Sequence, residues 1–189
     1  MNPTPAIMQK PLAAIFVLVM CGFSPAQAQE QPPAGFDNWG VCPFECCTYR
    51  DWTAEDDVPV HESRSERSPV AFRLKPHERV AALTGVVVTE KAGVIRINRP
   101  VQDGYLPDSA APQLSLKAGD VVYMLSPLGE GAYLYWYRGK VYRSGLDLAA
   151  MPGVDGKAAS MIWWKLVRNH AGKVGWTTSD KFSNVDDCG

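Results

Sequence analysis

Between Val41 and Trp52 the chain reads VCPFECCTYRDW, which gathers Cys42, Cys46 and Cys47 into one short stretch. Two further cysteines stand far away, Cys21 in an apolar leader and Cys188 as the penultimate residue. Clustered thiols support three chemistries: disulfides, a metal site or a redox centre. Tetrahedral zinc needs four thiolate or imidazole ligands, and His61, His77 and His170 are scattered with no ligand spacing. A thioredoxin-like centre needs CxxC opening a helix inside a βαβ unit, and Cys42 and Cys46 are spaced CxxxC instead. Structural disulfides are therefore expected, with no metal and no cofactor. A bridge between the adjacent Cys46 and Cys47 would strain a small ring, which favours one local bridge from Cys42 and one long bridge to Cys188. The long bridge would close nearly the whole chain and contribute roughly 3–5 kcal/mol.

Catalytic signatures are absent: there is no G-x-S-x-G elbow, no P-loop and no H-E-x-x-H. The paired acids Asp56-Asp57 and Asp186-Asp187 read as solvated turn residues. Asp51, Glu55, His61 and Cys46 have no spacing that requires a hydrolytic constellation. No catalytic residue is assigned, and the chain is read as a non-enzyme.

The remaining candidates are aromatic. Tyr133 to Tyr137 reads YLYWY, and alternation along a strand places Tyr133, Tyr135 and Tyr137 on one face, with Leu134 and Trp136 on the other. If Leu134 and Trp136 fill the core, the tyrosines form an outward ladder suited to sugars, peptides or proline-rich segments. The alternative is that the tyrosines pack across strands. Trp163, Trp164 and Trp176 pose the same choice, with one or two expected in a core and one at a groove.

These residues need a scaffold. Lys10 followed by Leu12–Phe23 and then Ala26-Gln27-Ala28 has the pattern of a cleaved export signal, with cleavage expected after Ala28 and a periplasmic or secreted destination. Met20 before Cys21 argues against lipidation. No later stretch approaches the roughly 20 apolar residues that spanning a bilayer needs. With 19 basic and 20 acidic residues, the near-balanced charge argues against nucleic acid and against strong docking on anionic membranes.

The organising feature is an echo. LKPHERVAAL (Leu74–Leu83) returns as LKAGDVVYML (Leu116–Leu125) at a constant offset, each copy a Leu-Lys pair, a polar turn and an alternating apolar run. A turn feeding a half-buried strand fits both. The chain accordingly divides into a signal peptide (1–28), a Cys-rich segment (29–52), a first module (53–99), a Pro-rich linker (100–112), a second module (113–184) with an insertion near 144–160, and a tail (185–189) carrying Cys188. The fold expected is all-β, small β-barrels in tandem, the first possessing fewer of the elements.

The second echo, Leu116-Lys117-Ala118-Gly119-Asp120 with Val122 and Leu125, then Trp163-Trp164-Lys165-Leu166, then Gly175-Trp176 running to Phe182, resembles the bacterial SH3-like domain family. Thr177 and Phe182 depart mildly from its pattern, and the first echo lacks a Gly-Trp ending of its own. The resemblance implies a non-catalytic binding module, here with a cell-wall fragment or an envelope protein as partner. A structural or assembly subunit is the second reading and a thiol oxidoreductase the third. Oligomeric state is not legible.

Overall fold

The computed structural model describes residues 31–106, 111, 114–129, 131–144 and 155–187. The leader, Cys188, part of the linker and most of the expected insertion lie outside these residues. In chain order the strands are β1 (Phe36–Trp39), β2 (Asp51–Ala54), β3 (Val58–His61), β4 (Val70–Leu74), β5 (Arg79–Lys91), β6 (Gly93–Arg96), β7 (Val101–Asp103) and β8 (Leu114–Leu116). They continue with β9 (Val121–Gly129), β10 (Ala132–Tyr137), β11 (Lys140–Arg143), β12 (Asp155–Lys157), β13 (Ser160–Arg168), β14 (Val174–Thr177) and β15 (Phe182–Ser183). The described residues contain no helix, so the fold is all-β, and its sheets are curled.

Both echoed decapeptides are the same device. Leu74 ends β4 and Leu116 ends β8, each almost fully buried. A four-residue turn follows, closed by Glu78 N–H to Lys75 O at 3.0 Å in one copy and by Asp120 N–H to Lys117 O at 3.0 Å in the other. The third turn residue is left-handed in both, His77 at φ 68° and Gly119 at φ 94°. With Pro76 fixing the preceding φ, this is a type II turn. The acid at its end reaches back in both: Glu78 Oε2 accepts from Lys75 N–H, and Asp120 Oδ2 accepts from Lys117 N–H at 2.8 Å.

The equivalence extends well beyond the decapeptides. Ala54 exchanges two backbone hydrogen bonds with the first turn, and Ile97 makes the same two with the second. β3 pairs with β4 through Val58↔Leu74, as β7 pairs with β8 through Val101↔Leu116. β2 pairs with β5 through Trp52↔Val80, as β6 pairs with β9 through Ile95↔Val122. Trp52, Ala54, Val58, Leu74 and Val80 lie in one core, and Ile95, Ile97, Val101, Leu116 and Val122 in the other. One four-strand unit is used twice, each copy around its own core.

The copies are completed differently. The second continues through the β9–β10 and β10–β11 hairpins, giving a sheet ordered β11-β10-β9-β6-β12. The first sheet is ordered β15-β2-β5-β13-β14-β3-β4, with β1 also on β5. Its closing hairpin, β13–β14, carries Trp163, Trp164 and Trp176 and comes from beyond the second copy. Long β5 pairs with β13 from Lys91↔Ser160 to Ala81↔Arg168. The second copy is thus inserted between two neighbouring strands of the first sheet, and the Gly-Trp ending missing after the first echo is supplied by Gly175-Trp176. The sheets are joined where Thr89 Oγ1 donates to Leu125 O at 2.7 Å and Asn38 Nδ2 donates to the buried Ser126 Oγ at 2.7 Å.

The echoes differ at one anchor: Leu125 is fully buried, whereas Leu83 is 39% exposed. Between Ala82↔Val167 and Thr84↔Leu166 the register shifts, so Leu83 is the extra residue of a β-bulge.

The turns provide a clean test of backbone strain. No atom lies within 4 Å of a Cβ built on Gly119, so Gly119→Ala meets no clash and should cost about 1–2 kcal/mol through its left-handed φ alone. Chemical denaturation checks this value.

Candidate functional site

The tyrosine ladder does not face solvent. Tyr135 is 1% exposed and Tyr137 8%, with Tyr133 packed on the same core. Alternation puts the three on one face without saying which. The register decides it, because Tyr135 sits opposite Met124 and Tyr142, both buried, and stacks on Tyr142 at 5.9 Å. Trp136 therefore occupies the other face. Burial drives the Tyr135 phenol far above its ordinary range, with the Asp103 carboxylate adding to the effect. Tyr135 and Tyr137 thus fill a small core rather than forming an exposed ladder, and Tyr133 is half-buried against it.

The tryptophans of β13 and β14 separate by alternation. Trp164 is in register with Val86 and Trp39, and Trp176 with Leu166, so these lie on one face of the first sheet. There Trp164 is buried, while Trp39, 56% exposed, meets Trp176 edge-on at 6.0 Å. The Arg64 guanidinium lies 4.8 Å over the Trp39 ring and pairs with Asp37 at 2.8 Å. Trp163 and Lys165 point to the other face, where a groove of about 610 Å³ opens. This volume falls in the range that small-molecule and peptide-sized ligands occupy.

The Cys-rich segment builds one wall of the groove. Cys42 and Cys47 form a disulfide. Within that ring Cys46 takes a left-handed φ of 59° and Cys47 N–H donates to Phe44 O. This turn sets the Phe44 ring edge-on to Trp163, at 5.8 Å. Cys46 is disulfide-bonded as well, and Asp187 N–H donates to its carbonyl at 3.1 Å. The local bridge expected from Cys42 is thus present, whereas the expected partner Cys188 lies outside the described residues.

Trp163 is held from below. Its Nε1–H donates to the Tyr49 hydroxyl at 3.1 Å, and that hydroxyl donates to Val41 O. Burial raises the Tyr49 pKa above its ordinary value, partly offset by the Trp163 hydrogen bond. Gly85 lies beneath this pair: a Cβ there would stand 2.6 Å from Trp163 Nε1 and 2.9 Å from the Trp164 carbonyl. Only glycine admits the approach. Trp52, fully buried, stacks on Tyr49 and meets Trp163 edge-on at 6.0 Å.

Lys165 forms the floor. Its side chain is 1% exposed, and Nζ donates to Asp180 Oδ1 at 2.7 Å and to Thr178 O at 2.9 Å while lying 4.2 Å from the Trp163 ring centre. Burial lowers its pKa, opposed by Asp180. Glu66, Met161, Ile162, Ser179, Phe182 and Val185 also line it. Sequence reasoning found Trp163 but missed Phe44, Lys165, Asp180 and Glu66. The position of Lys165 two residues after Trp163 on a strand was the one available signal, since it places both on one face.

The pKa of Lys165 has a consequence for stability. With its folded pKa below the unfolded value of 10.5, the unfolded chain holds more protons in the interval between them, so stability rises with pH there. The stability of the wild type relative to Lys165→Met should therefore increase as pH approaches 10.5. At neutral pH the substitution should be near neutral or stabilising, because an apolar isostere removes a buried charge while Asp180 is left in solvent. Thermal unfolding of both proteins across pH checks sign and size.

Among the described residues no group of three or more His, Cys, Asp or Glu side chains is placed to hold a metal ion, and no helix is long and apolar enough to cross a membrane. The arrangement is an aromatic groove with an internally paired ammonium at its base and carboxylates at its rim. Neither a family model, nor a curated protein, nor a solved structure matches this chain.

Proposed function

We propose that this chain is an exported, disulfide-stapled SH3-like binding protein whose groove over Trp163 holds a cell-envelope ligand, either a peptidoglycan fragment or a protein segment. The observation that carries the reading is the groove itself: about 610 Å³, walled by Phe44 and Trp163 and floored by Lys165. Aromatic faces with a few fixed polar groups are the usual makeup of such sites. The twice-used unit and the Trp-bearing closing hairpin support the SH3-like resemblance. The leader pattern and the Cys42–Cys47 bridge support export to an oxidising compartment.

The test is co-sedimentation with purified peptidoglycan and affinity capture of envelope proteins, for the wild type and Trp163→Ala. A buried aromatic anchor at the centre of a site contributes about 2 kcal/mol or more, so the variant should bind roughly 30-fold more weakly. Tyr135→Phe should bind as the wild type does. Equal binding by Trp163→Ala would remove the groove as the site. A single stoichiometric cross-linked partner that survives Trp163→Ala would favour the assembly-subunit reading.

A further inference from the structure

Resting on the groove as the binding site, we infer that its ligand is a peptide segment presenting an aliphatic ammonium group, as a lysine side chain does. The charges leave this vacancy. Among the described residues Lys165 is the one cation that lines the groove, and its two hydrogen bonds to Asp180 and Thr178, with the Trp163 ring beside it, engage it within the protein. Its side chain is 1% exposed, so a ligand anion has no route to it that does not displace Asp180. The carboxylates are the reverse. Asp180 is 86% exposed and spends one oxygen on Lys165, turning the rest of its carboxylate to solvent. Glu66 accepts from the Thr178 hydroxyl at 3.1 Å, a neutral donor that leaves its charge uncancelled.

Two carboxylates against one internally paired ammonium make the mouth of the groove negative. Phe44 and Trp163, edge-on to each other, wall the groove together with Met161. An aliphatic stem suits the apolar walls, and a cation at its end gains from the carboxylate oxygens that Asp180 and Glu66 leave to solvent. A carboxylate-bearing ligand would meet Glu66 and Asp180 with like charge.

The test uses the full chain with its native disulfides and three N-acetylated, C-amidated glycine-rich hexapeptides that differ at one central residue: lysine, Nε-acetyl-lysine or glutamate. Tryptophan fluorescence, with Trp163→Phe as the control, reads occupancy. The lysine peptide should bind at least tenfold more tightly than the other two, and more weakly as salt is raised. Glu66→Gln, which removes one exposed charge and keeps an acceptor for the Thr178 hydroxyl, should weaken the lysine peptide by about two- to fivefold and leave the acetyl-lysine peptide unchanged. If the acetyl-lysine or glutamate peptide binds as well as the lysine peptide, the cationic ligand is refuted while the groove stands. If no peptide perturbs Trp163, yet wall fragments do, the peptide class is refuted. If neither does, the groove reading falls with it.

Discussion

Trp52→Ala should destabilise the protein by about 3–5 kcal/mol. Trp52 is fully buried at the centre of the first core. It stacks on Tyr49 at 5.8 Å, meets Trp163 edge-on, and packs on Phe182 at 5.5 Å. Its Nε1–H donates to Thr48 O at 2.9 Å, so truncation also strands a carbonyl next to the cavity. Against a total stability of about 5–15 kcal/mol for an ordinary domain, that loss brings the first barrel close to unfolding. Trp39→Ala, removing an equally large but 56% exposed ring, should cost less than about 1 kcal/mol. Urea denaturation followed by near-ultraviolet circular dichroism compares them. A Trp52→Ala loss below about 1 kcal/mol would mean that this residue does not organise the core.

The second large effect concerns the insertion. Deleting residues 92–159 and joining Lys91 to Ser160 through an Asn-Gly loop should leave a folded protein, because Lys91 and Ser160 are already cross-strand partners and a two-residue turn suits an antiparallel pair. The excision removes the second core entirely. From the first it takes the packing of β9 on β5 and, among the described residues, the hydrogen bonds from Thr89 to Leu125 and from Asn38 to Ser126. Each hydrogen bond is worth about 1 kcal/mol, and the donors left behind become solvated. A cooperative unfolding transition and dispersed amide resonances are expected from the shortened chain. A broad, non-cooperative transition would show that the two cores depend on each other.

The parts of this architecture that the sequence discloses are the local ones. The echoed decapeptides announce their turns, since Pro76 and Gly119 each satisfy what a type II turn demands, and the alternating runs announce strands. The cysteine spacing limits the local bridge to Cys42 and its near neighbours. What stays hidden is long-range pairing. Trp163-Trp164-Lys165-Leu166 follows the second echo in the chain, so linear order attaches it there, yet its hydrogen-bonding partner is β5, on the far side of the insertion. No periodicity encodes that choice. The orientation of Tyr133, Tyr135 and Tyr137 is hidden for a related reason: a period of two separates two faces and names neither. The groove then follows from both, because Phe44 and Trp163 meet only after the disulfide turn and the returning hairpin are in place.

The Trp163 indole N–H, held against Tyr49 at the base of the groove, is the most direct reporter of ligand binding. In a ¹⁵N-labelled full-length sample titrated with soluble wall fragments and with envelope-derived peptides, its resonance should shift on addition of ligand, while that of Trp176 on the opposite face stays in place. Movement of Trp176 with Trp163 unaffected would place binding on the other face of the sheet and contradict this account.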